Sequence, residues 1–424
     1  MIIFERDKPR NIIIWSIVFL ISSLIGGVVY LILRIIYYKK RNSLIKKQWE
    51  DGVYLGLSTK NILNKSIDTT DDFYTFNNLA FNSVLTKNNS YEIINSYSRF
   101  KEILLKDLSN AKKYIILELT KVNKVDFKQI ADVLVKKASM GVAVKFIHDK
   151  HVSRKMLKQL KLAGVKAYNF SNYKSCGRIY ANRRNLISVD GEIIFVGSLN
   201  VTKRQLSDKF EISDLFFKLK GDVVQEINIA MHQDAVFASG KYIELPKPVE
   251  TGTNNNCKMQ FISNQINNDI ELLLIKAICM AKKSIQLQLD EFIPTESIMS
   301  LLKFAIHSNI DVRLMVPLKT TMHDKYFASR AYAKELALEG ANVYLFDGFI
   351  RSNSIIIDNL YAICGSYCLN RDNVKTCLQN IIIIEDNKAI ESFNKKFDKC
   401  VNNSYRISNA KYMLLREKFF KNFV

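Results

Sequence analysis

Acidic side chains are in short supply. Only 41 aspartates and glutamates stand against 62 lysines and arginines, a formal net charge of +21 over 424 residues. An imbalance of that size implies an anionic partner, either nucleic acid or an anionic membrane surface. Metal-binding spacing is also missing. The seven cysteines are Cys176, Cys257, Cys279, Cys364, Cys368, Cys377 and Cys400, an odd number with no Cys-x-x-Cys or Cys/His zinc pattern. Neither a metal nor a cofactor is therefore expected. Free thiols suit a reducing compartment, which places the globular part in the cytoplasm. No RNA- or DNA-binding module is visible, so nucleic acid is the weaker of the two anionic partners.

Charge is wholly absent from Ile12 to Leu33. That run is long enough to cross a bilayer. Trp15 and Tyr30 lie near its ends, where interfacial anchors would sit. Arg34, Lys39, Lys40, Arg41, Lys46 and Lys47 follow it, whereas Arg6, Lys8 and Arg10 before it are diluted by Glu5 and Asp7. The positive-inside rule puts the following chain in the cytoplasm of a single-pass membrane protein. The run is too long for a cleaved signal peptide and has no small-x-small exit.

What the chain does have is a repeat. Arg183-Arg184-Asn185 leads through Asp190-Gly191, a hairpin signal, to Gly197-Ser198-Leu199-Asn200. Arg351-Ser352-Asn353 leads in the same way through Asp358 to Gly365-Ser366, with Arg, Asp and Gly each displaced by 168 positions. Helical and strand patterns precede both copies in one order. In copy one helices are expected over Phe100–Lys113, Phe127–Met140 and Ser153–Leu162, each followed by a strand. In copy two they are expected over Ile270–Lys283, Ile298–Ser308 and Ala328–Leu338. Such alternation argues an α/β chain with a largely parallel sheet. The organisation reads as a membrane anchor over 1–42, a connector over 43–89, a first repeat over 90–239, a linker over 240–257 and a second repeat over 258–424. Pro246, Pro248, Gly252 and three consecutive Asn mark the linker.

Several stretches carry a resemblance. They are Glu5-Arg6-Asp7-Lys8-Pro9-Arg10 before the apolar run, Gly141-Val142-Ala143-Val144-Lys145-Phe146, Leu289-Asp290-Glu291-Phe292-Ile293-Pro294-Thr295-Glu296, Ala328-Ser329-Arg330-Ala331-Tyr332 with Gly348-Phe349, and the two Gly-Ser turns. Together they resemble a bacterial cardiolipin synthase of the phospholipase D superfamily. The resemblance implies two pseudo-twofold-related αβα sandwich repeats behind a membrane helix, although the family usually has two such helices and one is visible here.

The family motif is His-x-Lys-x-x-x-x-Asp, once per repeat. One His attacks phosphorus, the other protonates the leaving alcohol, and each Lys holds phosphate oxygens. Here Arg183 and Arg351 stand at the His positions, and Asn185 and Asn353 at the Lys positions. Only Asp190 and Asp358 match. Of the five histidines, His148, His151, His232, His307 and His323, only His148 and His323 have a Lys two residues on, and neither has an Asp seven residues on, so none completes the motif. Lys203-Arg204, Cys368 and Asp290-Glu291 are further departures. A guanidinium stays protonated and cannot act as nucleophile or proton shuttle. The expectation is a pseudoenzyme of phospholipid metabolism that binds anionic phospholipid or modulates a competent cardiolipin synthase. Two alternatives stay open: an active phosphatidyltransferase making cardiolipin from phosphatidylglycerol with a rearranged site, and a nucleic-acid-binding relative. Arg183 and Arg351, oriented by salt bridges to Asp190 and Asp358, would form a phosphate clamp lined by Ser198, Asn200 and Ser366. Equally, each Arg would pair with its own Asp and fill the site, with the serines serving the turns.

Overall fold

The computed structural model describes residues 69–122, 124–170, 181–197, 211–239, 256–263, 270–318, 323–351, 353–367, 369–370, 377–407, 417 and 419–421, with 16, 26–33, 35–36 and 39 near the N-terminus. Most of the apolar run 12–33, the connector up to residue 68 and residues 240–255 of the linker lie outside these. Residues 26–33 are helical, and among the described residues no helix is long and apolar enough to cross a membrane.

Helix α1 (Asp72–Phe81) and strand β1 (Leu85–Ile94) come first. The first repeat continues through α2 (Tyr97–Asn110), β2 (Tyr114–Lys121), α3 (Lys124–Ser139), β3 (Ala143–His151), α4 (Arg154–Leu162), β4 (Lys166–Asn169) and a short β5 (Ala181–Asn182). It ends with the hairpin β6 (Leu186–Val189) and β7 (Ile193–Gly197), then β8 (Glu211–Ser213), β9 (Phe216–Gly221) and α5 (Val223–Ser239). The second opens with β10 (Cys257–Ser263), α6 (Glu271–Met280), β11 (Ser284–Gln288), β12 (Phe292–Ile293), α7 (Glu296–His307), β13 (Asp311–Pro317) and α8 (His323–Leu338). It closes with β14 (Asn342–Phe346), β15 (Gly348–Ile350), the hairpin β16 (Asn353–Ile357) and β17 (Tyr361–Gly365), β18 (Leu369–Asn370), β19 (Cys377–Leu378), β20 (Asn380–Glu385), α9 (Asn387–Asn402) and β21 (Ser404–Arg406).

Fifteen of these strands form one sheet, ordered β21-β14-β13-β11-β16-β17-β20-β10-β1-β9-β7-β6-β2-β3-β4. The order reads the same outward from the antiparallel β10–β1 pair, apart from the extra β21 at one edge. The expected largely parallel sheet is corrected to a mixed one. Among the described residues only β2–β3, β3–β4, β11–β13 and β13–β14 are parallel within it. Helix crossovers supply only the outer strands of each half. The hairpins and the strands that follow them return directly and so pair antiparallel.

Two buried layers cover the outer faces of the halves, and a third lies between them. Leu186, Ile194 and Val196 of the first half share this middle core with Ile356, Ala362 and Cys364 of the second. Strand β20 shows the consequence. Ile382 and Ile384 enter the middle core, while Ile381 and Ile383 enter the outer core of repeat two. Burial on both faces explains an unbroken isoleucine run where a half-solvated strand would alternate.

The hairpins are fixed by their aspartates. Asp190 and Gly191 both have positive φ, 55° and 74°, and so do Asp358 and Asn359, both 53°. Two left-handed central residues make the turn whose twist suits a hairpin. The Asp190 carboxylate accepts from the backbone N–H groups of Lys112, Lys113 and Tyr114 at 2.7–3.0 Å. Asp358 accepts from Lys282, Lys283 and Ser284 at 2.7–2.8 Å. These bonds also explain why α2 and α6 stop short of the expected Lys113 and Lys283. The expected Arg183–Asp190 and Arg351–Asp358 salt bridges are therefore corrected. Each aspartate lies at the far end of its strand, roughly 20 Å of extended chain from its arginine.

At the opposite end Gly197 and Gly365 meet neighbouring backbone. A Cβ on either would sit 2.2 Å from a carbonyl oxygen, that of Leu215 or Asn380. No side chain fits there.

Removing either turn carboxylate leaves three donors to partly exposed solvent. Asp190→Ala and Asp358→Ala are each expected to cost about 1–3 kcal/mol of stability, read by chemical denaturation. An unchanged unfolding midpoint in both variants would contradict this role.

Candidate functional site

Each motif begins in one repeat and is clasped by the other. Strand β5 pairs in parallel with β19 of repeat two, and the Arg183 N–H donates to Leu378 O at 2.8 Å. Strand β15 pairs in parallel with β8 of repeat one, and the Arg351 N–H donates to Ser213 O at 3.0 Å. Both arginine side chains are half-buried. The pairings thus place Arg183 and Arg351 at matching points of the inter-repeat contact.

The asparagines that replace lysine do equivalent work in the two copies. Asn185 Oδ1 accepts from the Thr120 N–H at 3.2 Å and from its hydroxyl at 3.1 Å, and its amide donates to Arg183 O at 3.1 Å. Asn353 Oδ1 accepts from the Asp290 N–H at 2.8 Å, and its amide donates to Tyr367 O at 2.5 Å. Both are buried and bound to backbone. Neither offers a cation.

A carboxyl of the other repeat lies within electrostatic reach of Arg183. Burial, and then the neighbouring Glu291 carboxylate, push the Asp290 carboxyl up to about 6, while Asn353, Arg183 and Lys325 act in the opposite direction. Glu291 itself accepts from Lys325, at the start of α8, at 3.0–3.1 Å. In the sequence Asp290-Glu291 is a departure within a stretch that otherwise carries the resemblance. Which arginine the pair would face depends on the clasp between repeats, and no spacing along the chain reveals it.

Beneath Arg183 lies a buried ionic group that sequence reading missed. Arg184 is 2% exposed and forms an ion pair with Asp234 of α5. Its Nε donates to Gln379 O at 3.4 Å across the repeats. Glu118 accepts from the Asn182 amide. Burial, with the Asp234 carboxylate beside it, pushes the Glu118 carboxyl well above the usual range, against the pull of Arg184. The only hint in the sequence was a second arginine beside the motif.

The remaining candidates separate. The Ser366 hydroxyl donates to Asn380 Oδ1 and accepts from the Asn380 N–H at 3.1 Å, so it serves the turn. Ser198, Asn200, Lys203, Arg204, Cys368 and the His323 side chain lie outside the described residues. His148 is buried and its Nδ1 meets Asp149 O at 2.9 Å. Among the described residues no group of three or more His, Cys, Asp or Glu is placed to hold a metal ion. The described site therefore offers fixed guanidinium donors and one balancing carboxylate pair, with no imidazole at either motif position.

A family profile described as "Cardiolipin synthase, PLD-like domain" matches residues 104–234 and 274–401. The chain is 27% identical over 431 residues to the probable cardiolipin synthase YwiE of Bacillus subtilis (strain 168), covering 96% of this chain and 85% of that protein. It is 30% identical over 397 residues to the major cardiolipin synthase ClsA of the same organism, covering 85% and 81%. Among solved structures, phosphatidylserine synthase of Haemophilus influenzae Rd KW20 superposes with a TM-score of 0.59 at 11% identity, covering 78% of this chain and 92% of that one. At that identity the likeness speaks for the fold, an α/β phospholipase D-like architecture with two repeated domains.

Asp290 gives the site a pH dependence. Its carboxyl ordinarily titrates at 3.8 and in the fold at about 6. Between those values the folded state holds the extra proton. The stability Asp290 contributes is full below the lower value and is lost as pH rises through the upper one. Asp290→Asn is expected to be more stable than wild type at pH 7 by about 1–3 kcal/mol, with the gap closing near pH 4. A gap independent of pH in thermal unfolding would contradict the assignment.

Proposed function

We propose that this chain, which belongs to the cardiolipin synthase family of phospholipase D-like proteins, is a catalytically silent member that binds the phosphate of an anionic phospholipid without cleaving it. The observation that carries this reading is the paired replacement. Both nucleophile positions hold arginine, and both lysine positions hold asparagine turned onto backbone N–H groups. Phosphodiester exchange needs a lone pair to attack phosphorus and a proton for the leaving alcohol. Arg183 and Arg351 supply neither, but a guanidinium is a strong bidentate donor to phosphate. At neutral pH Asp290 competes with phosphate for Arg183. The same site would let the protein modulate a competent synthase by holding its lipid. The apolar run 12–33 is read as a single membrane anchor, with the repeats on the cytoplasmic side.

Two measurements test the reading. The full chain in detergent, given phosphatidylglycerol, is expected to release no more glycerol and form no more cardiolipin than a heat-killed control. Sustained turnover would overturn catalytic silence. Short-chain phosphatidylglycerol is expected to bind Arg183→Ala/Arg351→Ala at least about tenfold more weakly than wild type, from two lost charge-assisted contacts, and Asp290→Asn more tightly. Equal binding by all three proteins would reject the clamp.

A further inference from the structure

The two repeats treat one matched pair of cations differently. Aligned on their glycine stops, Gly164 and Gly340, α4 and α8 place Arg154 opposite Arg330, Lys158 opposite Lys334 and Leu160 opposite Leu336. In repeat two both cations are neutralised from within. Glu417, near the C-terminus, has no exposed surface and lies 3.5 Å from Arg330 Nε and 2.7 Å from Lys334 Nζ. In repeat one, Arg154 and Lys158 are exposed and meet no carboxylate among the described residues.

The rest of α4 extends the same charge. Met156 and Leu160 point α4 into the core. The opposite face carries Arg154, Lys158 and Lys161 at i, i+4 and i+7, one stripe of a helix. Lys155 and Leu162 form the adjoining stripe, and Leu162 is 79% exposed. On the other face of the sheet, away from α4, exposed Lys166 of the edge strand β4 stands in register with Lys145 of β3. The two ammonium groups lie close enough that Lys166 adds to the burial that holds Lys145 below its ordinary value. From 143 to 169 there are seven Lys and Arg and a single acid, Asp149.

We propose that the exposed face of α4 docks flat on an anionic phospholipid surface, with its cations among the headgroup phosphates and Leu162 inserted beside them. The cations are spread along the length of one helix face instead of converging on one point, which suits many phosphates in a plane better than one acidic peptide. An exposed leucine within the basic stripe suits the headgroup boundary. The inference rests on the reading that the protein works at an anionic membrane, and it fixes which repeat faces the lipid.

The test uses the full chain reconstituted with vesicles of phosphatidylglycerol and phosphatidylcholine in equal parts, or of phosphatidylcholine alone, followed by hydrogen exchange. Amides of α4 are expected to exchange at least about tenfold more slowly on the anionic vesicles, because each basic residue is attracted to such a surface. High salt should remove the difference. R154Q/K155Q/K158Q/K161Q, which keeps helix-forming side chains, should lose it while its circular dichroism is unchanged. Equal exchange on both vesicles in wild type would overturn the proposal. So would protection conferred by a single-stranded oligonucleotide and not by phosphatidylglycerol. R183A/R351A should keep the α4 protection, so failure of the phosphate clamp and failure of this docking face give different results.

Discussion

Each arginine of the duplicated motif is held through its backbone by the repeat to which it does not belong. Arg183 N–H donates to Leu378 O, and Arg351 N–H donates to Ser213 O. The site depends on that exchange. It brings Asp290 of repeat two to Arg183 of repeat one, and it carries Arg184 across to Gln379 O. The shared middle core makes the exchange rigid, because strands from both halves bury one face each in it.

The motif has come apart into two functions at its two ends. The aspartate end is structural in both copies, where one carboxylate gathers three backbone N–H groups and seats a hairpin against the preceding helix. That role needs an acid whatever stands at the other end. It accounts for the persistence of Asp190 and Asp358 beside arginines and asparagines. The site end keeps positive charge and hydrogen-bond donors but has no imidazole at either position. Below it, Arg184, Asp234 and Glu118 form a buried group in which burial pushes the Glu118 carboxyl well above its usual range. A buried ion pair of this kind contributes little net stability but is costly to break from one side.

Much of this was legible along the chain. The duplication, the α/β alternation, the two hairpins and the loss of both histidines all follow from residue order, since local pattern and turn chemistry decide them. The strands β9, β10 and β20 were not legible. Ile381 to Ile384 all lie in the interior, so the strand shows no alternation for a reader to find. The sheet was expected to be largely parallel because helix crossovers are conspicuous in sequence, whereas direct antiparallel returns leave only a short turn.

What the sequence determined by itself is composition at defined positions: arginine for histidine, asparagine for lysine, and a basic stripe on α4 without acids nearby. These are facts of residue identity, and their chemistry holds in any fold. Only the tertiary structure decided what each charge faces. Asp190 and Asp358 face backbone N–H groups instead of arginines, because a strand of extended chain separates them from the motif's other end. Arg183 acts on the Asp290 carboxyl because the repeats cross. Arg330 and Lys334 are covered by Glu417, while their counterparts Arg154 and Lys158 are exposed. Coulomb interactions fall off with distance in space and are indifferent to separation along the chain, so the partners of these charges had to wait for the fold.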